Sequence, residues 1–325
     1  MENESNDKKL SIVITTYNRK APLLEQLRSI ECQGLFDKYE VIVSDNHSDY
    51  DVKDVIRTSL TPEFLKIVTV VQRDFNIGGS MNITMSFTLP KTPWMWLLSD
   101  DDITEPDSIR IILKDIEKHK DDDVCWLKYS ISGGFKPNIE NSFDNLKDLF
   151  DYYSGVKRGA GEFIFMSNNV FRLSHLKTYI TDLCIFSDTS MSQCILPIFA
   201  IKKEKKQICF SSQSITNYTP GRGSWLPVMA YLRFGNILAI TALQLNGSEI
   251  KAFKKIPFWN EKLLVLSLLS VKDATLRREY LKRIVISHCN LYSFKVIKIV
   301  ALYMIVSIIG ADRVKSMIEK RRNKQ

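Results

Sequence analysis

Four short hydrophobic runs, Leu10 to Thr16, Tyr39 to Ser44, Ile67 to Gln72 and Trp94 to Ser99, are separated by stretches with helical spacing. This alternation restricts the fold more than any other feature. Strands and amphipathic helices in strict succession pack as a mostly parallel sheet covered by helices, an α/β fold. The first intervening stretch, Ala21 to Cys32, places Leu23, Leu24, Leu27 and Ile30 at helical spacing and meets a stop at Gly34. Val52 to Leu60 reads as a shorter helix ended near Pro62, and Gly79 to Thr88 as a third. Glu105-Pro106 opens a fourth, through about His119, with the proline early in the helix where its missing N–H costs nothing.

Beyond Asp123 the pattern is mixed. Val124 to Ile131 and Glu162 to Met166 read as strands, Ser142 to Tyr153 and Ser174 to Ile180 as helices, and almost everything from Met229 onward as helix. A boundary near Trp225 to Pro227 follows, giving a main domain over 1–226 and a helical C-terminal region over 227–325. With 325 residues, 45% of them hydrophobic, the chain can bury one large core or two smaller ones.

The net charge of +8 invites a nucleic-acid reading, but the basic residues are not interleaved with aromatics in an RNA-binding motif, so no nucleic-acid partner is expected. Much of the excess sits late: Lys315 to Gln325 holds five Lys or Arg against one Glu, after twelve uncharged residues from Ile299 to Gly310. Twelve residues are too few to span hydrocarbon, which takes ~20. The segment fits either a helix lying on an anionic membrane surface or a core helix with a solvated tail. The six cysteines show no CxxC pair, the four histidines no paired spacing, and Met1 to Lys9 no apolar leader core. A reduced, cytoplasmic protein is expected, peripheral on the inner membrane face if the tail binds lipid.

Open α/β sheets bind ligands beyond the carboxyl ends of their strands. Four polar ends are candidates: Thr16-Tyr17-Asn18-Arg19, Asp45 to Asp49, Arg73 to Gly79, and Ser99 to Asp102. The last delivers three adjacent carboxylates from a hydrophobic strand. Unless solvated in a turn, they need a compensating cation, and a divalent metal with oxygen ligands supplies one. For a nucleoside diphosphate the four ends are complementary: Asp45 or Asp49 accepts from base or ribose, Arg73 and the N–H groups near Gly78-Gly79 face phosphate, and the triplet holds metal.

The order of these elements resembles the family 2 glycosyltransferases of GT-A fold, a Rossmann-like, mostly parallel sheet flanked by helices. Ser11 to Arg19 matches the family's strand followed by a Thr-x-Tyr-Asn-Arg-type turn, Ile42 to Asp49 its acidic second turn, Asn76 to Asn82 its Asn-x-Gly element, and Leu98 to Asp102 its Asp-rich motif. Ser99 departs from the frequent Asp-x-Asp-Asp form by occupying the first acidic place. The Asn-Ile-Gly element and the Trp-rich strand are closer to bacterial O-antigen and capsule enzymes, abequosyltransferase-like ones among them.

Carried onto this chain, the resemblance implies donor contacts from Thr16, Tyr17, Asn18, Arg19, Asp45, Asn46, Arg73, Asn76, Gly78, Asn82 and Asp100, with Asp101 and Asp102 on Mn²⁺ or Mg²⁺. It implies an inverting transfer from a nucleotide-sugar donor to a saccharide acceptor, lipid-linked or free, in surface polysaccharide synthesis. An inverting transfer needs a carboxylate base at the acceptor side. Ile185 to Ser192 resembles the segment carrying it, making Asp188 the candidate and Asp182 the fallback. Asn168 and Asn169, in Ser167 to Arg172, resemble the acceptor-side segment, and Arg222 and Trp225 lie on a loop able to cover the site. Two other classes stay open: a noncatalytic nucleotide-sugar- or carbohydrate-binding protein, and a sugar nucleotidyltransferase. The latter grips a triphosphate with a Gly-rich loop after its first strand, and Thr15 to Lys20 contains no glycine.

Overall fold

Along the first strand Leu10, Ile12 and Ile14 alternate with Ser11 and Val13, and all five are fully buried, as a strand requires when helices cover both faces. The structure, a computed structural model, describes residues 8–132, 141–156, 159–185, 187, 192–217, 244–256, 265, 268–269, 273–289 and 300–305. Contacts divide the chain into two units, Met1–Tyr153 with Gly161–Gly223, and Ser154–Ala160 with Ser224–Gln325.

The first unit holds a nine-stranded sheet. Its strands are β1 (Leu10–Thr16), β2 (Tyr39–Asp45), β3 (Val68–Gln72), β4 (Trp94–Ser99), β5 (Ile103–Thr104), β6 (Val124–Ser132), β7 (Ser142–Phe143), β8 (Asn169–Arg172) and β9 (Gln207–Asn217). They lie in the order β3-β2-β1-β4-β8-β6-β9-β5, with β7 pairing on β9. The strands β3, β2, β1 and β4 are mutually parallel. Then β8 runs antiparallel to both β4 and β6, and β9 returns parallel to β6. One edge therefore collects the carboxyl ends of β1 to β4 and β6 together with the start of β8.

The helices described in this unit are α1 (Lys20–Glu31), α2 (Val52–Ser59), α3 (Pro62–Leu65), α4 (Gly79–Ser86), α5 (Ser108–Lys118), α6 (Leu146–Gly155), α7 (Gly159–Ile164), α8 (Leu173–Leu176), α9 (Ile180–Ile185) and α10 (Ser192–Glu204). α1 contributes Leu23, Leu27 and Ile30 and α5 contributes Ile109, Ile112 and Ile116 to one core cluster with Leu10, Ile12, Ile14, Trp96 and Leu98. Each such aliphatic burial stabilises by about 1.5–3 kcal/mol.

The expected elements up to His119 all form, within a few residues of their bounds. Three differences stand beyond it. Ser142 and Phe143, expected to open a helix, form a short strand paired on β9, and the helix begins only at Leu146. Glu162 to Met166 is not a strand: α7 runs through Ile164, and the strand begins later, at Asn169. A short apolar run without alternation does not distinguish a strand from a buried helical turn. The eleven-residue β9 and the helix α10 were not anticipated. β9 is rich in serine and takes its conformation from pairing with β6, while α10 is buried on every side from Ser192 to Ile201 and so carries no amphipathic stripe.

In the second unit, residues Gly247–Lys255 and Ala274–Cys289 are helical. Asn246 accepts from the N–H groups of Ser248 and Glu249, and Glu249 returns a carboxylate to the Asn246 N–H at 2.7 Å, a capping box. Among the described residues no helix is long and apolar enough to cross a membrane. Of the uncharged segment Ile299 to Gly310, residues 300–305 are described, with Met304 and Ile305 exposed. The basic tail lies outside the described residues.

Candidate active site

The loop after β1 turns at Asn18, whose φ of 54° is a left-handed conformation that asparagine tolerates. From there Asn18 Nδ2 donates to Asp49 Oδ2 at 2.7 Å and Asn18 Oδ1 accepts from the Asp49 N–H at 2.7 Å, fastening this loop to the one after β2. The Asn18 N–H donates to Ser48 Oγ at 2.9 Å, and Ser48 Oγ donates onward to the fully buried Asp45 carboxylate at 2.6 Å.

The β2 loop is fastened to the β3 loop in the same fashion. Asn46 Nδ2 donates to Asn76 Oδ1 at 2.8 Å, and the Ile77 N–H donates to Asn46 Oδ1 at 3.0 Å. Gly78, at φ 84°, opens α4 and sends its N–H to Asn76 Oδ1 at 2.8 Å. An added Cβ there would meet nothing within 4 Å, so glycine is required by the backbone angle and not by space. Asn82, inside α4, is buried and exchanges bonds with Ser44, at 2.8 Å to its hydroxyl and 2.9 Å to its carbonyl. Arg73 Nε reaches Asn82 Oδ1 at 3.5 Å, while Arg73 Nη2 is buried and has no hydrogen-bond partner among the described residues.

At the end of β4 the three acids diverge. Asp100 accepts from Thr16 Oγ1 at 2.7 Å and from Arg19 Nη1 at 3.2 Å. Asp101 accepts from the same Arg19 nitrogen at 2.5 Å and from the Ser99 hydroxyl. Asp102 accepts from Ser167 Oγ at 2.6 Å, and that oxygen accepts from the Ser99 N–H at 2.9 Å. Burial pushes Asp100 up to about 6 against the pull of Thr16 and Arg19, with Asp101 adding repulsion. Burial likewise pushes Asp102 up to about 7, Ser167 opposing and the two neighbouring acids adding to it. Partial burial works against the Arg19 charge, but the hydrogen bonds and charges of Asp101 and Asp100 together outweigh it and raise its pKa.

The wall beside the acids belongs to β4, β6 and the turn before β8. Trp96 Nε1 donates to the Ser167 carbonyl at 2.8 Å, and Trp126 Nε1 to Asn169 Oδ1 at 2.8 Å. Lys128, fully buried on β6, donates to Asn169 Oδ1 at 2.8 Å, Asn168 Oδ1 at 3.2 Å and the Phe163 carbonyl at 3.4 Å. The Asn168 amide nitrogen donates to the Tyr129 carbonyl at 2.8 Å and that of Asn169 to the Phe165 and Met166 carbonyls.

The expected donor residues thus form two sets. Tyr17, Asn18, Asn76 and Gly78 are exposed at the edge and Arg19 is half-buried, whereas Thr16, Asp45, Asn46 and Asn82 are buried behind them as its frame. Asn168 and Asn169 are both fully buried, and their amides are taken up by Lys128, Trp126 and backbone carbonyls. Asp188, Arg222 and Trp225 lie outside the described residues, and Asp182 is half-buried on α9. The roles of Ser48, Ser167 and Lys128 and the 66% exposure of Phe75 were not singled out from the sequence. Ser48 sits within the second motif and was discoverable there; nothing in the sequence marks Ser167 or Lys128 as partners of these acids.

A hard divalent cation fits this donor set, which is all oxygen. Among the described residues no three acidic, histidine or cysteine side chains converge on one point. Asp101 and Asp102 are the carboxylates that could hold such an ion, in the mode where one or two carboxylates bind it and substrate phosphates complete its shell.

A family model described as Glycosyl transferase family 2 matches residues 11–182. Over 117 residues the chain is 29% identical to the abequosyltransferase RfbV of Salmonella typhimurium, covering 36% of this chain and 35% of that one. Over 149 residues it is 27% identical to the succinoglycan biosynthesis protein ExoW of Rhizobium meliloti, covering 46% and 41%. The chain thus spans less than half the length of these curated relatives. Among solved structures, S. aureus TarS 1–349 superposes with a TM-score of 0.57 at 14% identity over 98% of this chain and 92% of that one. The mannosyltransferase PcManGT of Pyrobaculum calidifontis, solved with GDP-Man and Mn²⁺, gives 0.53 at 13% identity over 96% and 84%. At such identities the likeness speaks to the fold.

Proposed function

The chain belongs to glycosyl transferase family 2 and has its GT-A fold, and on that premise we propose that it moves a sugar from a nucleotide-sugar donor to a saccharide acceptor with inversion. The observation that carries this reading is the placement of Asp100, Asp101 and Asp102 at the meeting point of the β1, β4 and pre-β8 turns, anchored by Thr16, Arg19, Ser99 and Ser167. Asp101 and Asp102 would hold Mn²⁺ or Mg²⁺, which when bound offsets charge on the departing diphosphate. PcManGT, solved with GDP-Man and Mn²⁺, supports that assignment by analogy.

The remaining steps fall to the chain's own groups. Tyr17 and Phe75, both exposed, offer flat faces for a base. Arg73 Nη2 and the N–H groups at the start of α4 face phosphate. Asp188 takes the proton from the attacking acceptor hydroxyl. The acceptor is a lipid-linked saccharide in surface polysaccharide synthesis, reached at the cytoplasmic membrane face through the apolar and basic C-terminal segment. The setting in polysaccharide synthesis is supported by the similarity to RfbV, an abequosyltransferase, and ExoW, a succinoglycan biosynthesis protein.

The test is transfer and hydrolysis measured over UDP-, GDP-, CDP- and dTDP-sugars with and without Mn²⁺ or Mg²⁺, for wild type and Asp188→Asn. The variant is expected to bind donor as wild type does and to lose about 10²- to 10⁴-fold in kcat, the usual worth of a positioned base. Metal-independent turnover that is equal in both proteins would overturn the reading.

A further inference from the structure

We propose that Arg19 is a resident counterion of Asp101: it bridges Asp100 and Asp101, and it turns from Asp101 to the donor's diphosphate when a divalent ion binds Asp101 and Asp102. The inference rests on the reading that these acids hold a divalent ion. One guanidinium nitrogen, Nη1, lies 2.5 Å from Asp101 Oδ2 and 3.2 Å from Asp100 Oδ1, so it bridges two carboxylates from a single point. A divalent ion on Asp101 would take an oxygen at about 2.0–2.6 Å. A divalent ion on Asp101 would set two like charges a few ångströms apart across one carboxylate, and that repulsion favours swinging the guanidinium away.

The surroundings permit that exchange. The other oxygens of both acids are held by fixed groups that need not move: Thr16 Oγ1 on Asp100 at 2.7 Å and the Ser99 hydroxyl on Asp101. Asp102 is held from the opposite side by Ser167 at 2.6 Å and lies outside the Arg19 bridge. Arg19 itself is 22% exposed at the side chain and stands at the start of α1, just after the left-handed Asn18, so its backbone is fixed while its long stem can pivot into the crevice. Three carboxylates and one guanidinium leave the turn with excess negative charge, which favours the doubly charged ion when phosphate oxygens complete its shell. A displaced planar fork beside a diphosphate finds bidentate acceptors at once. Arg19 therefore opposes metal binding alone and couples metal binding to donor binding.

Removing this positive group should tighten metal binding in the absence of nucleotide and weaken donor binding. Mn²⁺ affinity is measured by EPR of the free ion for wild type, Arg19→Gln and Arg19→Lys, with no nucleotide and then with UDP or GDP. In Arg19→Gln, Mn²⁺ alone is expected to bind about tenfold tighter than in wild type. The mutual enhancement of Mn²⁺ and nucleotide, commonly 5–150-fold between coupled sites, is expected to shrink. Arg19→Lys keeps the charge but loses the fork, and should retain weak Mn²⁺ binding while losing the enhancement. Unchanged or weaker Mn²⁺ binding in Arg19→Gln would overturn the counterion role alone. Absence of Mn²⁺ binding in all three proteins would overturn the metal reading beneath it.

Discussion

Ser48 and Ser167 do the same chemical job in different halves of the sheet. Each hydroxyl accepts from the backbone N–H at a neighbouring strand end, Asn18 in one case and Ser99 in the other, both at 2.9 Å. Each donates to a buried aspartate at 2.6 Å, Asp45 or Asp102. In the parallel half, β3-β2-β1-β4, the serine and its aspartate are three residues apart within one loop, and the N–H comes from the neighbouring loop 30 residues away. The mixed half, β8-β6-β9, makes its relay from residues 65 apart that only the antiparallel β4–β8 pairing brings together. The donor half is thus assembled by local motifs, and the acids at its border depend on a distant wall.

The largest expected contrast comes from cutting both relays. Ser167→Ala strips Asp102 of its donor and the Ser99 N–H of its acceptor, and losing the hydrogen bond that orients a metal-binding carboxylate typically costs about 10–100-fold in metal affinity. Ser48→Ala should leave Mn²⁺ affinity within about twofold and weaken nucleotide binding about tenfold, the scale of one buried hydrogen bond to a charged group. Isothermal titration with Mn²⁺ and then with nucleotide separates the two. Equal metal losses in both variants would erase the division of labour between the halves.

The same contrast explains what the sequence could disclose. Strands β1 to β4 and their polar ends were readable because each motif is contiguous: Asn18, Asp45, Asn76 and Asp100 all sit where a hydrophobic run gives way to polar residues. Asn168 and Asn169 share that appearance, yet both are fully buried. A buried lysine and two tryptophans 40 to 70 residues upstream capture the turn that carries them, and no local pattern records that. Strand β9 escaped notice for the same reason, since a serine-rich segment becomes a strand only through pairing with β6. Sequence periodicity reports which face of an element is apolar; it does not report which polar side chain a remote strand will consume.

The acids at the border give a pH signature of smaller size. Burial raises Asp102 to about 7, with Asp101 and Asp100 adding, so metal binding must expel a proton at neutral pH. Mn²⁺ affinity should therefore fall about tenfold from pH 8 to pH 6, as expected for one proton on a group of that pKa. Folding stability in the absence of added metal should run the opposite way. A folded pKa above the ordinary ~3.9 means the native state holds a proton that the unfolded chain releases, so this contribution to stability is full below about pH 4 and is lost as pH rises through 7. The melting temperature of wild type minus that of Asp102→Asn should decline over that window. In Ser167→Ala, without the hydrogen bond that lowers Asp102, the midpoint of the Mn²⁺ profile should move upward; a fixed midpoint would mean Ser167 does not tune this carboxylate.

The smallest effect tests whether the mixed half is wired through its buried ammonium. Burial pulls Lys128 down to about 8, with Cys194 and Glu162 opposing. Its folded pKa lies below the ordinary ~10.4, so between these values the unfolded chain binds the proton that the native chain has given up. Below pH 8 the native state bears the full cost of a buried charge, offset by Asn168, Asn169 and the Phe163 carbonyl. Raising the pH through the window relieves that cost. Lys128→Met cannot titrate, so the wild-type melting temperature minus that of the variant should grow by a few degrees between pH 7.5 and 9.5. Ser44→Ala, which cuts a buried bond to Asn82 in the parallel half at 2.8 Å, contains no titrating group and should give a difference that is flat with pH. A flat difference for Lys128→Met as well would place the ammonium in contact with water and leave the Asn168–Asn169 turn to be held by the tryptophans and backbone alone.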